Sequence, residues 1–313
     1  MKIGRSIINV YNQMSNYGKI MLFLVLFLIL VVIFKGDKWT SREGFETNNI
    51  EQNEMFVFKD DAELYDEFYA DIYDFLVFSN IKTDYEVGAI INKTAPTERS
   101  VILDVGSGTG HHLAKLAEHH FRVIGIDASP AMVSKAKENY PDYTFVVGDV
   151  LNNSQFPQNT FTHIICMYFT VYYFKNKQLF FNNCRDWLLH NGYLIVHLVE
   201  RDKFDPMLPT GNPLYIVSPQ KYAKERITKT KITFDKFVYE SNFDLNKDSN
   251  VANFIEKFKF NNGKTRKQEH ILYMEPHEQI VQLALNAGFI IKGIVDLTYT
   301  AYEYQYLYVF VKA

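Results

Sequence analysis

The chain has 313 residues, enough for one large domain or two small ones, and its 47% hydrophobic content is ample for a core. A formal net charge of −3 sets up no global basic field and argues against a nucleic-acid partner. The two cysteines, Cys166 and Cys184, lack metal-ligand spacing and read as structural thiols in a reducing compartment, so no metal site is expected.

The first element in chain order is apolar. After a short tail (1–18), Ile20 to Phe34 runs without a polar residue between Lys19 and Lys35. Fifteen apolar residues fall short of the ~20 a bilayer needs. Both lysines can snorkel, however, and Tyr17 and Trp39 stand outside them as interfacial aromatics. The reading is a single-pass membrane anchor over 19–35, with a removed signal peptide as the alternative; Phe34-Lys-Gly-Asp-Lys38 does not make a good small-residue cleavage site. Lys2, Arg5 and Lys19 before the span balance Lys35, Lys38 and Arg42 after it, so charge does not orient it. The reduced cysteines lean the following domain toward the cytosol. A polar linker covers 36–54 and the main domain 55–313.

Asp61 to Phe75 predicts a helix with Leu64, Phe68, Ile72 and Phe75 on one face and Tyr65, Tyr69 and Tyr73 on an adjacent one. Val101–Val105 predicts a buried strand, followed by the turn Gly106-Ser-Gly-Thr-Gly110 and a helix from His111. Glycines there let the main chain approach a ligand, and the helix start offers unpaired N–H groups. Arg122–Ile126 predicts a second strand ending in Asp127, where doubly wound folds bind ribose hydroxyls. Ser129 and Pro130 then supply an N-cap and first helical residue. Thr144–Val147, Phe161–Met167 and Tyr193–Val199 continue the strand series. A nicotinamide-binding fingerprint would need Gly-x-Gly-x-x-Gly, but Gly110 comes one position early and His111 fills the expected slot.

The segments Leu103-Asp-Val-Gly-Ser-Gly-Thr-Gly110, Gly125-Ile-Asp-Ala-Ser-Pro-Ala-Met132, Gly148-Asp149 and Leu189-His-Asn-Gly-Tyr-Leu-Ile195 together resemble the class I S-adenosylmethionine (SAM)-dependent methyltransferases. The resemblance implies an α/β, Rossmann-like seven-stranded sheet and SAM as cofactor. It would give Asp104 the methionine amino group, and Gly106, Ser107, Gly108 and Gly110 the amino-acid and ribose parts. Asp127 would take the ribose hydroxyls, Ala128 and Met132 would border adenine, and Asp149 with the Val150 backbone would hold the adenine amino group. Met167 would lie near the sulfonium. Many small-molecule members of the family cover the pocket with a tyrosine-bearing N-terminal helix, which makes Tyr65 and Tyr69, with Tyr168 after the fourth strand, candidates for the acceptor site. No Asn/Asp-Pro-Pro-Tyr/Phe motif or Pro-Cys nucleophile follows that strand, which argues against nucleic-acid methylation.

Residues 215–275 read as an antiparallel insertion. Its strand-like runs are Lys231–Glu240, Ala252–Phe260 and Thr265–Met274, with a hairpin turn at Asn261-Asn-Gly263. It resembles the lid of amine and amino-sugar N-methyltransferases. His270, Leu272 and Met274 share one face; His270 would meet an acceptor if that face turns inward, and would be a rim residue otherwise. Lys229, Lys231, Lys257, Lys259, Lys264, Arg266 and Lys267 are expected on a solvated face. Glu275–Gly288 predicts a helix, and Phe289–Leu297 with Tyr304–Val311 the family's final antiparallel pair. The expected function is methyl transfer to an N or O nucleophile of a small molecule. The alternatives are a protein or membrane-lipid acceptor, and a tethered SAM-fold binding protein without catalysis. No catalytic base and no oligomeric state are legible.

Overall fold

The computed structural model describes residues 14–39, 52–206, 220 and 223–313. Two compact units, Met1–Ile50 and Glu51–Ala313, are described separately. In the first, α1 (Asn16–Trp39) is 24 residues long. The expected anchor falls on this helix, but the side chains of 28–39 lie outside the described residues. Among the described residues, no helix is long and apolar enough to cross a membrane. The basic residues Lys2, Arg5 and Arg42, most of the linker, and the loop with the start of the insertion at 207–219 also lie outside them.

The second unit holds two sheets. The larger has seven strands in the order β11-β12-β6-β5-β2-β3-β4: Phe289–Asp296, Gln305–Lys312, Leu188–Val199, Phe161–Cys166, Val101–Val105, Arg122–Asp127 and Thr144–Val147. Pairings among β4, β3, β2, β5 and β6 are parallel, while β12 is antiparallel to both β6 and β11. The central strands are buried on both faces, which is why they read as short continuous apolar runs. Three helices, α3 (Asn80–Thr94), α4 (His111–Glu118) and α5 (Pro130–Asn139), contribute Val87, Leu113 and Val133 to one core. On the other, α6 (Lys177–Trp187) and α7 (His277–Asn286) contribute Phe180, Trp187 and Ile280. Strand order reverses between β2 and β5, so the carboxyl ends of these strands form the crevice where open α/β sheets bind ligands.

The insertion forms the smaller sheet, ordered β1-β10-β9-β8-β7: Phe56–Asp60, Thr265–Tyr273, Val251–Phe260, Phe237–Asn246 and Lys229–Thr233. Two expectations are corrected here, and one strand is added to them. Lys231–Glu240 is two strands, because the chain reverses between Thr233 and Phe237 and the Phe234 N–H donates to the Phe237 carbonyl. The insertion also recruits a strand from outside itself: β1 lies parallel to β10, pairing Phe56 with Thr265. Finally, Asp61–Phe75 is not one helix. Asp61–Glu63 forms a 3₁₀ turn, and the Asp66 carboxylate accepts the Tyr69 N–H as the N-cap of α2 (Glu67–Val77). Tyr65 therefore precedes the helix.

Candidate active site

Two adjoining cavities occupy the crevice. The first lies over the glycine turn, and its lining includes Asp104, Gly106, Ser107, Gly108 and Met167. Gly106 and Gly108 have φ of +64° and +53°, in the region that favours glycine. A Cβ on Gly108 would meet nothing nearer than the Tyr73 ring at 3.8 Å, so this backbone is open to a ligand. A Cβ on Gly110 would strike the Phe145 ring at 2.7 Å, so that glycine serves the packing of the turn. Gly110, Asp127, Ala128, Met132, Asp149 and Val150 stand outside this lining. Asp127 ends β3, with Oδ2 accepting the Gly108 N–H and Oδ1 that of Ser129, both at 2.9 Å. Each oxygen keeps a lone pair for a ribose hydroxyl. Met132 is buried, Ala128 and Asp149 are exposed, and the Val150 carbonyl accepts from Asn183.

Asp104 is 2% exposed, and burial pushes its carboxyl up to about 7. Its Oδ2 and the Ser107 hydroxyl oxygen are buried without a hydrogen-bond partner among the described residues. An ammonium-bearing ligand would satisfy both, and the turn therefore fits the amino-acid end of SAM. In the wall of this cavity, which Lys82 and His112 line, is a group that sequence reasoning missed. Lys82 Nζ is 2.6 Å from Glu86 Oε1, and His112 Nε2 is 2.8 Å from Glu86 Oε2. Burial would raise the Glu86 carboxyl, but Lys82 and His112 outweigh it and lower it to about 2. His111 stacks on Phe78 and meets Asp74, which also accepts the Thr109 hydroxyl. The glycine motif pointed to the turn, but nothing local marked the partners that α2 and α3 bring to it.

The second cavity encloses about 790 Å³ of empty space, partly open to solvent, and shares Tyr73, Val77, Tyr168 and Thr170 with the first. All four acceptor-site candidates, Tyr65, Tyr69, Tyr168 and His270, line it. His270 is 1% exposed, so it is buried in the chamber wall and is not a rim residue. A hydrogen-bonded chain links the two sheets. Tyr65 Oη donates to Tyr173 Oη (2.8 Å), Tyr173 Oη lies 2.7 Å from His270 Nδ1, and His270 Nε2 lies 2.7 Å from Glu256 Oε2. Tyr239 Oη donates to Glu256 Oε1 at 2.6 Å. Since the carboxylate only accepts, the His270 Nε2 proton faces Glu256 and Nδ1 is the basic nitrogen. Tyr173, Glu256 and Tyr239 were not anticipated. A signal for Glu256 exists: it sits in the inward phase Ala252, Phe254, Glu256, Phe258, Phe260 of an alternating strand. Arg266, expected in solvent, is 5% exposed; it pairs with Asp66 at 2.8 Å and stacks on Phe68. It shares the inward phase of β10 with Gln268 and His270, so the alternation buries it.

Residues 102–192 match the family model described as a methyltransferase domain. The chain is similar to the dTDP-4-amino-2,3,4,6-tetradeoxy-D-glucose N,N-dimethyltransferase of Saccharopolyspora spinosa, 30% identical over 123 residues, 38% of this chain and 48% of that protein. It spans about half the length of the curated relatives it matches. Among solved structures it resembles the CcbJ methyltransferase from Streptomyces caelestis, with a TM-score of 0.62 at 15% identity, covering 81% of this chain and 99% of that one. It also resembles SAM-bound CalS10, an amino pentose methyltransferase from Micromonospora echinaspora, with a TM-score of 0.57 at 18% identity over 78% and 96%. The chain therefore has the class I SAM-dependent methyltransferase fold, and its residues 102–192 are similar to a methyltransferase domain.

Proposed function

We propose that this protein methylates the nitrogen of a small-molecule amine, with SAM as donor. The observation that carries this reading is the shared wall between the cavities. Tyr73, Val77, Tyr168 and Thr170 border both, so a ligand on the glycine turn faces one in the tyrosine-lined chamber. Asp104, Ser107 and the Gly106–Gly108 backbone would hold the amino-acid end of the cofactor, and Asp127 its ribose. When bound, SAM supplies a methyl group on a positively charged sulfur, and the amine lone pair forms the N–C bond as the S–C bonding pair returns to sulfur. The chain's own residues position the amine and remove its proton. An acceptor ammonium beside Tyr173 gives its proton to the phenol oxygen as the phenol proton passes to His270 Nδ1. Glu256 stabilises the resulting imidazolium. The curated relative acts on a sugar-borne amine, which makes an amino sugar one acceptor to test first.

The test is transfer of label from methyl-labelled SAM to a panel of amino sugars and alkylamines by the full-length protein. Stoichiometric N-methyl product supports the reading. SAM binding with no transfer to any amine, alcohol or peptide would favour a binding protein.

The N-terminal helix is proposed as a membrane anchor, with the catalytic unit on the cytosolic side. The support is the apolar run 20–34 within a 24-residue helix, and two free, buried cysteines. Carbonate extraction of membranes, followed by protease protection, tests both parts.

A further inference from the structure

The acceptor chamber differs from what a nucleotide-linked sugar requires. A diphosphate is recognised by arginines, lysines or helix N-termini. Among the described residues, neither lysine nor arginine lines this chamber, and the charged groups that do are Asp205 and Glu256. The nearby cations are engaged elsewhere. Arg266 pairs with Asp66, and Lys82 with Glu86 behind the Tyr168 and Tyr302 rings. Arg226 donates to the Arg201 and Phe204 carbonyls.

What lines the chamber is aromatic. Tyr65 makes T-shaped contacts with Tyr69, Tyr73 and Tyr173, with centroids 5.4, 6.2 and 5.9 Å away and planes inclined by 66–68°. Rings set nearly at right angles form adjoining walls, and ring faces attract cations. Glu256 is fully buried at the end of these walls, 2.7 Å from His270, so its field acts through protein and not through water. Burial, and then the nearby Glu256 charge, hold the Tyr69 phenol well above its ordinary value. The hydroxyls around the chamber thus stay neutral.

We propose that this chamber is a binding site for a compact organic ammonium group without phosphate, recognised by the Tyr65, Tyr69, Tyr73 and Tyr173 rings with Glu256 as the distant counter-charge. The proposal rests on the amine-methylation reading for its purpose, and names the acceptor class: a free amine or amino sugar, not a nucleotide-linked one. Its test does not use turnover, so the two can fail separately. Titrate the full-length protein with choline and with its uncharged isostere 3,3-dimethylbutan-1-ol, following tyrosine fluorescence. The expected result is at least about fivefold tighter binding of choline, since two or more ring faces attract the cation and not its uncharged isostere. The ring-keeping Tyr65→Phe should preserve that ratio, and Tyr65→Leu and Tyr173→Leu should collapse it. Equal affinity for the two probes, a ratio indifferent to the leucine variants, or displacement of choline by thymidine diphosphate would overturn the proposal.

Discussion

His270 Nε2 lies 2.7 Å from Glu256 Oε2 although the two residues are not directly opposed in their sheet. In the β9–β10 ladder His270 faces Phe254, and Glu256 faces Gln268. They meet as diagonal neighbours on the buried face, a separation that long side chains bridge. The same face carries Tyr239 from β8, while Tyr65 precedes α2 and Tyr173 follows β5 of the larger sheet. This hydrogen-bonded chain is thus built half by the smaller sheet and half by residues beside the larger one.

The first prediction tests that chain. Glu256→Gln keeps the shape and removes the charge that stabilises a protonated His270. Turnover should fall roughly 10²-fold, the lower end of what a positioned base contributes. The rate should also rise more steeply with pH than in the parent, because only acceptor already deprotonated in solution would react. Tyr173→Phe should shift the pH–rate profile in the same direction. An unchanged profile in both would remove the chain from the mechanism.

Asp104 makes the apo domain sensitive to pH. Its carboxyl is raised in the folded state to about 7 by burial, so folding favours the protonated form. Stability from this group is fully present below its unfolded pKa of ~4 and is lost as pH rises through about 7. At ~1.4 kcal/mol per unit the loss is on the order of 4 kcal/mol. Asp104→Asn should flatten this slope in chemical denaturation between pH 4 and 8. His163 and His197, both lowered by burial to about 4, act oppositely, losing stability as pH falls below ~6.5. They are present in both proteins and cancel in the comparison.

Two glycines of one turn should respond differently to alanine. At Gly106 the new methyl would lie 2.4 Å from Thr170 Cγ2, on top of the left-handed backbone strain. A loss of ~2–3 kcal/mol is expected. At Gly108 the space is open, so only the strain of ~1 kcal/mol remains, but the methyl enters the cofactor cavity. Calorimetric titration should show SAM affinity much reduced in Gly108→Ala while its thermal midpoint moves by a few degrees.

The buried Lys82–Glu86 pair should be costly to break and cheap to replace. Lys82→Met leaves Glu86 buried with only His112 beside it, a loss of ~3–5 kcal/mol. Adding Glu86→Leu should recover most of this, since the isolated charge is then gone. Urea midpoints of the two variants decide the matter; a double variant no more stable than the single would show that the pair itself carries the stability.

Much of the α/β half was legible because its signals are local. Val101–Val105, Thr144–Val147, and the helix capped by Ser129 and opened by Pro130 form as their sequences predict. A buried parallel strand needs an apolar run, and a helix start needs a cap. The strand Phe56–Asp60 was not legible, because five residues beside a polar linker become a strand only when β10 is there to pair with. Nor was the break before Glu67, which depends on Asp66 capping Tyr69 while it pairs with Arg266, 200 residues away in sequence.

By itself the sequence determined the glycine turn, the acid at the end of β3 and the placing of His270 and Leu272 on one strand face, since each follows from strand period or backbone freedom within a few residues; that this face turns inward was decided by the fold. Tertiary structure alone decided that Asp104 would have a buried oxygen without a partner among the described residues, that Lys82 and His112 would both meet Glu86, and that Tyr173, His270 and Glu256 would join in one chain. Hydrogen bonds and ion pairs act over about 3 Å, and only the folding of the lid onto the sheet brings residues so distant in sequence within that range.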